Sequence, residues 1–289
     1  MPELKIPIRV AIIVLLILLL VSIQGFDFGT SRKGTLQVTF LDVGQGDATF
    51  IESPSGTQVL IDGGKGSAVL GPLGKVMGFF DRDIDMVVAT HPDMDHIGGL
   101  IDVLERYDVA TIVMTENISD TPVFEMFQER VRDEGARIIY VRRGQIFDLG
   151  SGDVGSTTLR ILFPDRDPTN LESNMSSIVS QLVYGESEYL LMGDSPKEIE
   201  AYLVALDAEN LESDVLKLGH HGSRTSTAEA FVRAVNPDYG IVSAGKDNSY
   251  GHPHTEVVER LQKYNVIQKN TADEGSIFSY SDGTSIWFK

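Results

Sequence analysis

The chain has 289 residues, a length that favours one large globular domain or two small ones and leaves room for a real hydrophobic core. A hydrophobic content of 42% and a charged content of 23% exclude a fibrous repeat, a proline-rich linker protein and disorder over most of the length. Lysine and arginine total 24 against 42 aspartates and glutamates, and the net charge of -18 excludes the broad basic face of a tight nonspecific DNA binder.

The first element is the uncharged run VAIIVLLILLLV over residues 10–21, preceded by Lys5 and Arg9. It is shorter than the roughly 20 residues that span a bilayer comfortably, and no clear cleavage signal follows. The reading is an uncleaved membrane anchor, with a cleaved secretory signal as the alternative. Either leaves the N-terminus cytoplasmic and exports the remainder, which carries the acidity. Residues 1–26 are thus expected to be anchor or signal, 27–34 a polar linker, and 35–289 one domain.

Within that domain, short apolar alternation broken by Gly44, Gly46 and the turn at 54–56 predicts strands near 36–41, 47–52 and 57–62. Further strands are expected at 86–89, 110–113, 137–141, 159–162, 178–183, 189–192 and 215–218. Helical periods fall near 97–106, 123–134, 228–235 and 255–264. Strand-rich stretches with interleaved helices imply two packed sheets covered by helices. No internal repeat or low-complexity tract interrupts them.

Cysteine is absent, so disulfides, thiol catalysis and Cys-ligated zinc drop out, and any transition-metal site must use histidine, carboxylate or amide groups. The six histidines form three tight groups at strand ends or in glycine-flanked loops, unlike core histidines. His91, Asp93, Asp95 and His96 place four metal-competent side chains in six residues at the end of a buried-type strand. Gly98 and Gly99 let the following helix approach closely. Such a donor set suits zinc, manganese or iron. Asp194 ends another strand as MGD; alone it reads equally well as a turn residue. His220 and His221 sit in GHHGS, and His252 and His254 in YGHPH.

These pieces, LDVGQGD, LIDGG, HPDMDHIGG, LLMGD, LKLGHHGS and YGHPH, order almost all of residues 35–289. In them the chain resembles the metallo-beta-lactamase superfamily, most closely the metallo-hydrolase domain of competence proteins of the ComEC type. The resemblance implies a four-layered αββα sandwich of mixed α/β class with a dinuclear metal site, two divalent ions of zinc or manganese, at one edge. It makes His91 and Asp93 ligands of the first metal, Asp95, His96 and His220 ligands of the second, and Asp194 the bridge. Superfamily members commonly have histidine where this chain has Asp93 and Asn174, and oxygen donors there favour manganese. Asp47 and Asp62 would orient ligands from outside the site. Asp95, His221, His252 and His254 are the expected catalytic groups. Ser223, Arg224 and Lys246 are candidates to hold phosphate, with a solvated surface charge as the alternative for both cations.

The implied function is exported, metal-dependent hydrolysis of phosphodiesters, with DNA as the substrate. Hydrolysis of another ester, lactone or small phosphodiester is the second reading, because fold does not fix substrate. A catalytically silent binding module is the third. One anchor cannot itself move DNA, which leaves a separate uptake channel open as a partner.

Overall fold

The computed structural model describes residues 34–289 apart from Phe79, together with Pro7. The apolar run at 10–21 and residues 27–33 of the linker lie outside the described residues. Among the described residues, no helix is long and apolar enough to cross a membrane.

The chain begins with an antiparallel meander of β1 (Leu36–Phe40), β2 (Thr49–Glu52) and β3 (Gln58–Ile61). After α1 (Leu70–Val76) come β4 (Asp83–Ala89), α2 (Met94–Leu104), β5 (Asp108–Met114), α3 (Pro122–Glu134) and β6 (Arg137–Tyr140). The strands from β3 to β6 pair in parallel. A second run, β7 (Ile146–Gly152), β8 (Gly155–Phe163), β9 (Val179–Tyr184) and β10 (Ser187–Leu191), is antiparallel. It continues through α4 (Lys197–Asp207), β11 (Val215–Lys217), α5 (Glu229–Val235), β12 (Tyr239–Val242), α6 (Thr255–Lys263) and β13 (Ile267–Asn270), with β10 to β13 parallel. After α7 (Thr271–Glu274), β14 (Ile277–Ser281) and β15 (Ile286–Phe288) return to pair beside β1. The result is an eight-stranded sheet, β15-β14-β1-β2-β3-β4-β5-β6, and a seven-stranded sheet, β13-β12-β11-β10-β9-β8-β7.

Strand parity builds the layers, because successive side chains leave a strand on opposite faces. Val59, Ile61, Met86 and Val88 face inward to meet Tyr189, Leu191, Val215 and Ile241 of the other sheet. Leu60 and Val87 face outward onto Ile97, Leu100, Val103 and Phe127 of α2 and α3. On the far side, Leu190 and Leu216 pack against Leu203, Phe231 and Leu261. Three apolar cores therefore separate four layers, helix, sheet, sheet and helix.

Most expected strands and helices fall within a few residues of the observed ones. The pattern reading did not anticipate α1, α4, α7, β7 or β12 to β15. Of the helix ends, α3 is among the clearest, with Pro122 in its first turn and Gly135 in the left-handed conformation just past its end.

The topology assembles the site. Loops at the C-terminal ends of β3, β4, β10 and β11 carry Asp62, residues 90–93, Asp194 and the 219–223 turn. The antiparallel neighbours β2 and β9 bring Asp47 and Asn174 to the same edge.

Candidate metal centre

The centre starts from a close backbone contact. Helix α2 begins against the LIDGG turn: Gly99 N donates to Gly64 O at 2.8 Å and Gly63 N to His96 O at 2.8 Å. A Cβ on Gly99 would stand 1.9 Å from Gly63 O, so no side chain fits there. Gly46 approaches in the same way from the VGQGD loop, where a Cβ would lie 2.2 Å from Asp95 O. The glycines thus bring Asp47, Asp62 and the first turn of α2 within reach of one another.

Three imidazoles are held by their Nδ1 atoms. His96 Nδ1 is 2.8 Å from Asp62 Oδ2. The hydroxyl of Thr90 donates to the same carboxylate at 2.7 Å and lies 3.0 Å from His91 Nδ1. Since that hydroxyl proton goes to Asp62, His91 Nδ1 must be the donor. His221 Nδ1 is 3.0 Å from Asp47 Oδ1. Each Nε2 therefore turns inward, the nitrogen left for a metal ion while Nδ1 is held from outside.

Those Nε2 atoms converge on Asp194. His96 Nε2 lies 3.2 Å from Asp194 Oδ1, and His91 and His221 Nε2 lie 4.0 and 3.6 Å from Oδ2. His221 Nε2 is also 3.3 Å from Asp95 Oδ2, and Asp93 Oδ2 is 3.7 Å from His91 Nε2. His91, His96 and Asp194 form one ligand cluster, Asp95, His96 and His221 a second, and Asp47, Asp194 and His221 a third. Despite this crowding, the Nε2 atoms of all three histidines, Asp194 Oδ1 and Asn174 Oδ1 are buried without a hydrogen-bond partner. Buried polar atoms are ordinarily paired. Orphaned imidazole and carboxylate donors within mutual reach fit divalent metal ions.

The electrostatics agree. Burial opposes the charges of His96 and His221, but Asp194 with Asp62 or Asp47 overrides it, raising His96 well above its usual range and His221 to about 9. Burial likewise opposes ionisation of Asp194 and Asp95, yet the surrounding imidazoles keep Asp194 far below the carboxylate range and Asp95 at about 2. The carboxylates demand positive charge at this point.

The remaining expected residues surround this point. His221, expected to act in catalysis, occupies the inward place with Asp95 and His96. His220, expected there as a ligand, is partly exposed, with Nε2 3.7 Å from Asp194 Oδ2 and Nδ1 3.0 Å from the Thr225 hydroxyl. Asn174 stands beside it, its Nδ2 3.5 Å from His220 Nδ1. Both histidines have positive φ, 47° and 54°, a strained reversal that sends successive rings to different sides of the turn. Ser223 is buried, and its hydroxyl accepts from that of Thr225 at 3.0 Å. His252 lies against the group, 5.7 Å from the His220 ring and 6.1 Å from that of His221. Burial, reinforced by the neighbouring histidines, lowers it to about 4. His254 accepts from Arg224 N through Nδ1 at 3.1 Å, while the Arg224 and Lys246 side chains are exposed. Among the described residues, no hydrogen bond or ion pair joins Lys246 to the cluster.

Lys217 escaped the sequence reading. It is 2% exposed, and its Nζ donates to Asp47 at 2.8 Å and to Leu218 O at 3.1 Å. Strand parity was the available signal: Lys217 shares a face with Val215, which points between the sheets.

Residues 41–246 match the metallo-beta-lactamase superfamily profile. The chain is 32% identical to ComE operon protein 3 of Bacillus subtilis (strain 168) over 260 residues, covering 83% of this chain and 32% of that protein. It is 30% identical to Recombination protein 2 of Haemophilus influenzae over 256 residues, 86% of this chain and 29% of that one. The chain thus spans about a third of the length of these curated relatives. Among solved structures, Igni18, a metallo hydrolase from Ignicoccus hospitalis KIN4/I, superposes with a TM-score of 0.52 at 15% identity, over 84% of this chain and 98% of that one. With its matched profile, two-sheet architecture and His/Asp cluster, the chain belongs to the metallo-beta-lactamase superfamily and has that superfamily's metallo-hydrolase fold.

Proposed function

We propose that the chain is a metal-dependent phosphodiesterase that cleaves nucleic acid, with DNA as its substrate. The observation that carries this reading is the convergence of three buried, unpartnered Nε2 atoms and Asp194 on one point at the sheet edge. His91, Asp93, Asp95, His96, Asp194 and His221 would hold two divalent ions, with Asn174 and His220 on the outer side. Bound there, such ions lower the pKa of water toward neutrality and offset charge on a phosphoryl oxygen. The protein's own part is orientation: Asp62 and Asp47 fix the imidazoles, and Lys217 fixes Asp47. His254 Nδ1 accepts from Arg224 N, so its Nε2 carries the proton and would donate it to a phosphate oxygen or leaving group.

DNA as substrate rests on relatives named as ComE operon and recombination proteins. Export rests on the apolar run at 10–21, which would anchor the domain outside the cytoplasm. The test is hydrolysis of plasmid and oligonucleotide DNA by the purified chain in manganese, zinc and magnesium. Metal-dependent cleavage abolished by Asp194→Ala supports the reading. Cleavage that survives chelation, or turnover of carboxylic esters alone, contradicts it.

A further inference from the structure

Beside the metal centre, the ends of β5 and β6 and the first turns of α3 enclose an open cleft of about 690 Å³. That is ample for one nucleoside-sized group. Met114, Thr115, Asn117 and Phe124 line this cleft and also a separate small void whose other walls include His91 and Pro92. The cleft therefore begins about one side chain from a metal ligand.

Its chemistry differs from that of the centre. Ile118 is 64% exposed and Tyr140 48% exposed, and both face the cleft together with buried Phe124. Apolar and aromatic surface left open around a concave site commonly marks a ligand. Two carboxylates, Glu116 and Glu125, line it against one cation, Arg132, and Glu116 already pairs with Arg142. Arg142 and Arg132 offset the two carboxylates, so a phosphate in the cleft would meet no net positive charge. The group that fits is flat, uncharged and able to hydrogen-bond at its edge.

We propose that this cleft is a nucleobase subsite. It takes the base of the nucleotide whose phosphodiester lies at the metal centre, with the Tyr140 ring as its stacking surface and Gln128 at its polar edge. The proposal rests on the phosphodiesterase reading and deepens it. Only an unstacked base can enter, so the substrate is single-stranded or has frayed ends.

The test uses the full-length chain and two readouts. In saturation-transfer NMR with deoxyadenosine, the base protons should receive saturation from the wild-type protein and lose it with Ile118→Ser/Tyr140→Ala. Tyr140→Phe, which keeps the ring, should restore it. Both altered side chains are exposed, so the fold should survive. In kinetics, the wild type should favour a single-stranded tetranucleotide over its abasic counterpart, and the double variant should lose that preference through a KM rise of about 5- to 100-fold, as expected for one stacked base. Equal NMR signals in wild type and double variant would overturn the subsite, as would octanoate binding there where deoxyadenosine does not. Normal cleavage of both oligonucleotides without discrimination would remove the subsite and leave the phosphodiesterase standing. Deoxyadenosine binding without cleavage of either would remove the phosphodiesterase instead.

Discussion

Asp194 is the residue on which the site turns, since the Nε2 atoms of His91, His96, His220 and His221 all lie within 4.0 Å of its carboxylate. Replacing it with alanine should lower bound metal below two ions per chain and reduce turnover by about a thousandfold or more, with the circular dichroism spectrum unchanged. An active Asp194→Ala enzyme would remove it from the site. Lys217 works at one remove. Lys217→Met leaves the Asp47 carboxylate buried without its cation, which should cost about 3–5 kcal/mol in denaturant unfolding. Adding Asp47→Asn should recover most of that stability but not metal affinity, which should remain about 10- to 100-fold weaker because His221 loses its anchor. The sequence made most of these donors legible, because ligands clustered within six residues stand out against chance. It did not indicate that His221 also faces Asp194, since the direction of each ring in this turn is set by two consecutive left-handed backbone positions and not by residue type. Lys217 looked like an ordinary strand residue, and its partner lies 170 positions away.

Among the elements, the 219–228 turn is held from below by α4. Glu200 of that helix accepts from Thr227 N and, at 2.7 Å, from Ala228 N. Burial pushes its carboxyl up to about 7 in spite of those two donors. The folded state therefore binds the Glu200 proton more tightly than the unfolded chain does. Its stabilising contribution is complete below the unfolded value near 4.5 and lost as pH rises through about 7. Relative to Glu200→Gln, the wild type should lose on the order of 3 kcal/mol across that window, read as the change in their Tm difference. A pH-independent difference would contradict the assigned burial. Helix α2 offers a sharper test: Gly99→Ala forces a methyl into Gly63 O, and both the helix start and metal binding should fail together. Pattern reading found the elements with strong local periodicity and turn signals. It missed β14 and β15, which pair with each other but reach the sheet only across some 240 residues to β1, as Leu36 opposite Ser281 shows.

At the scale of the molecule, the three apolar cores seen among the described residues draw their buried members from residues 36–277, so a chain starting at Gly34 should fold and remain monodisperse without the apolar run. Aggregation of that truncation, with folding only in detergent, would show that the run belongs to the fold. The net charge of -18 repels a polyanion, so DNA affinity should be modest and should depend on divalent ions. Neutralising the exposed Arg224 and Lys246 together should weaken binding of long DNA several-fold while sparing turnover of a small phosphodiester. Equal losses on both would place them in the chemistry. Titrating manganese or zinc into the metal-free chain while following cleavage of single-stranded DNA decides whether the chain is a two-ion phosphodiesterase. Cleavage should be absent before metal is added and should reach a plateau at two bound ions per chain. Full activity with chelator present, or two bound ions without cleavage of any phosphodiester, would contradict that assignment.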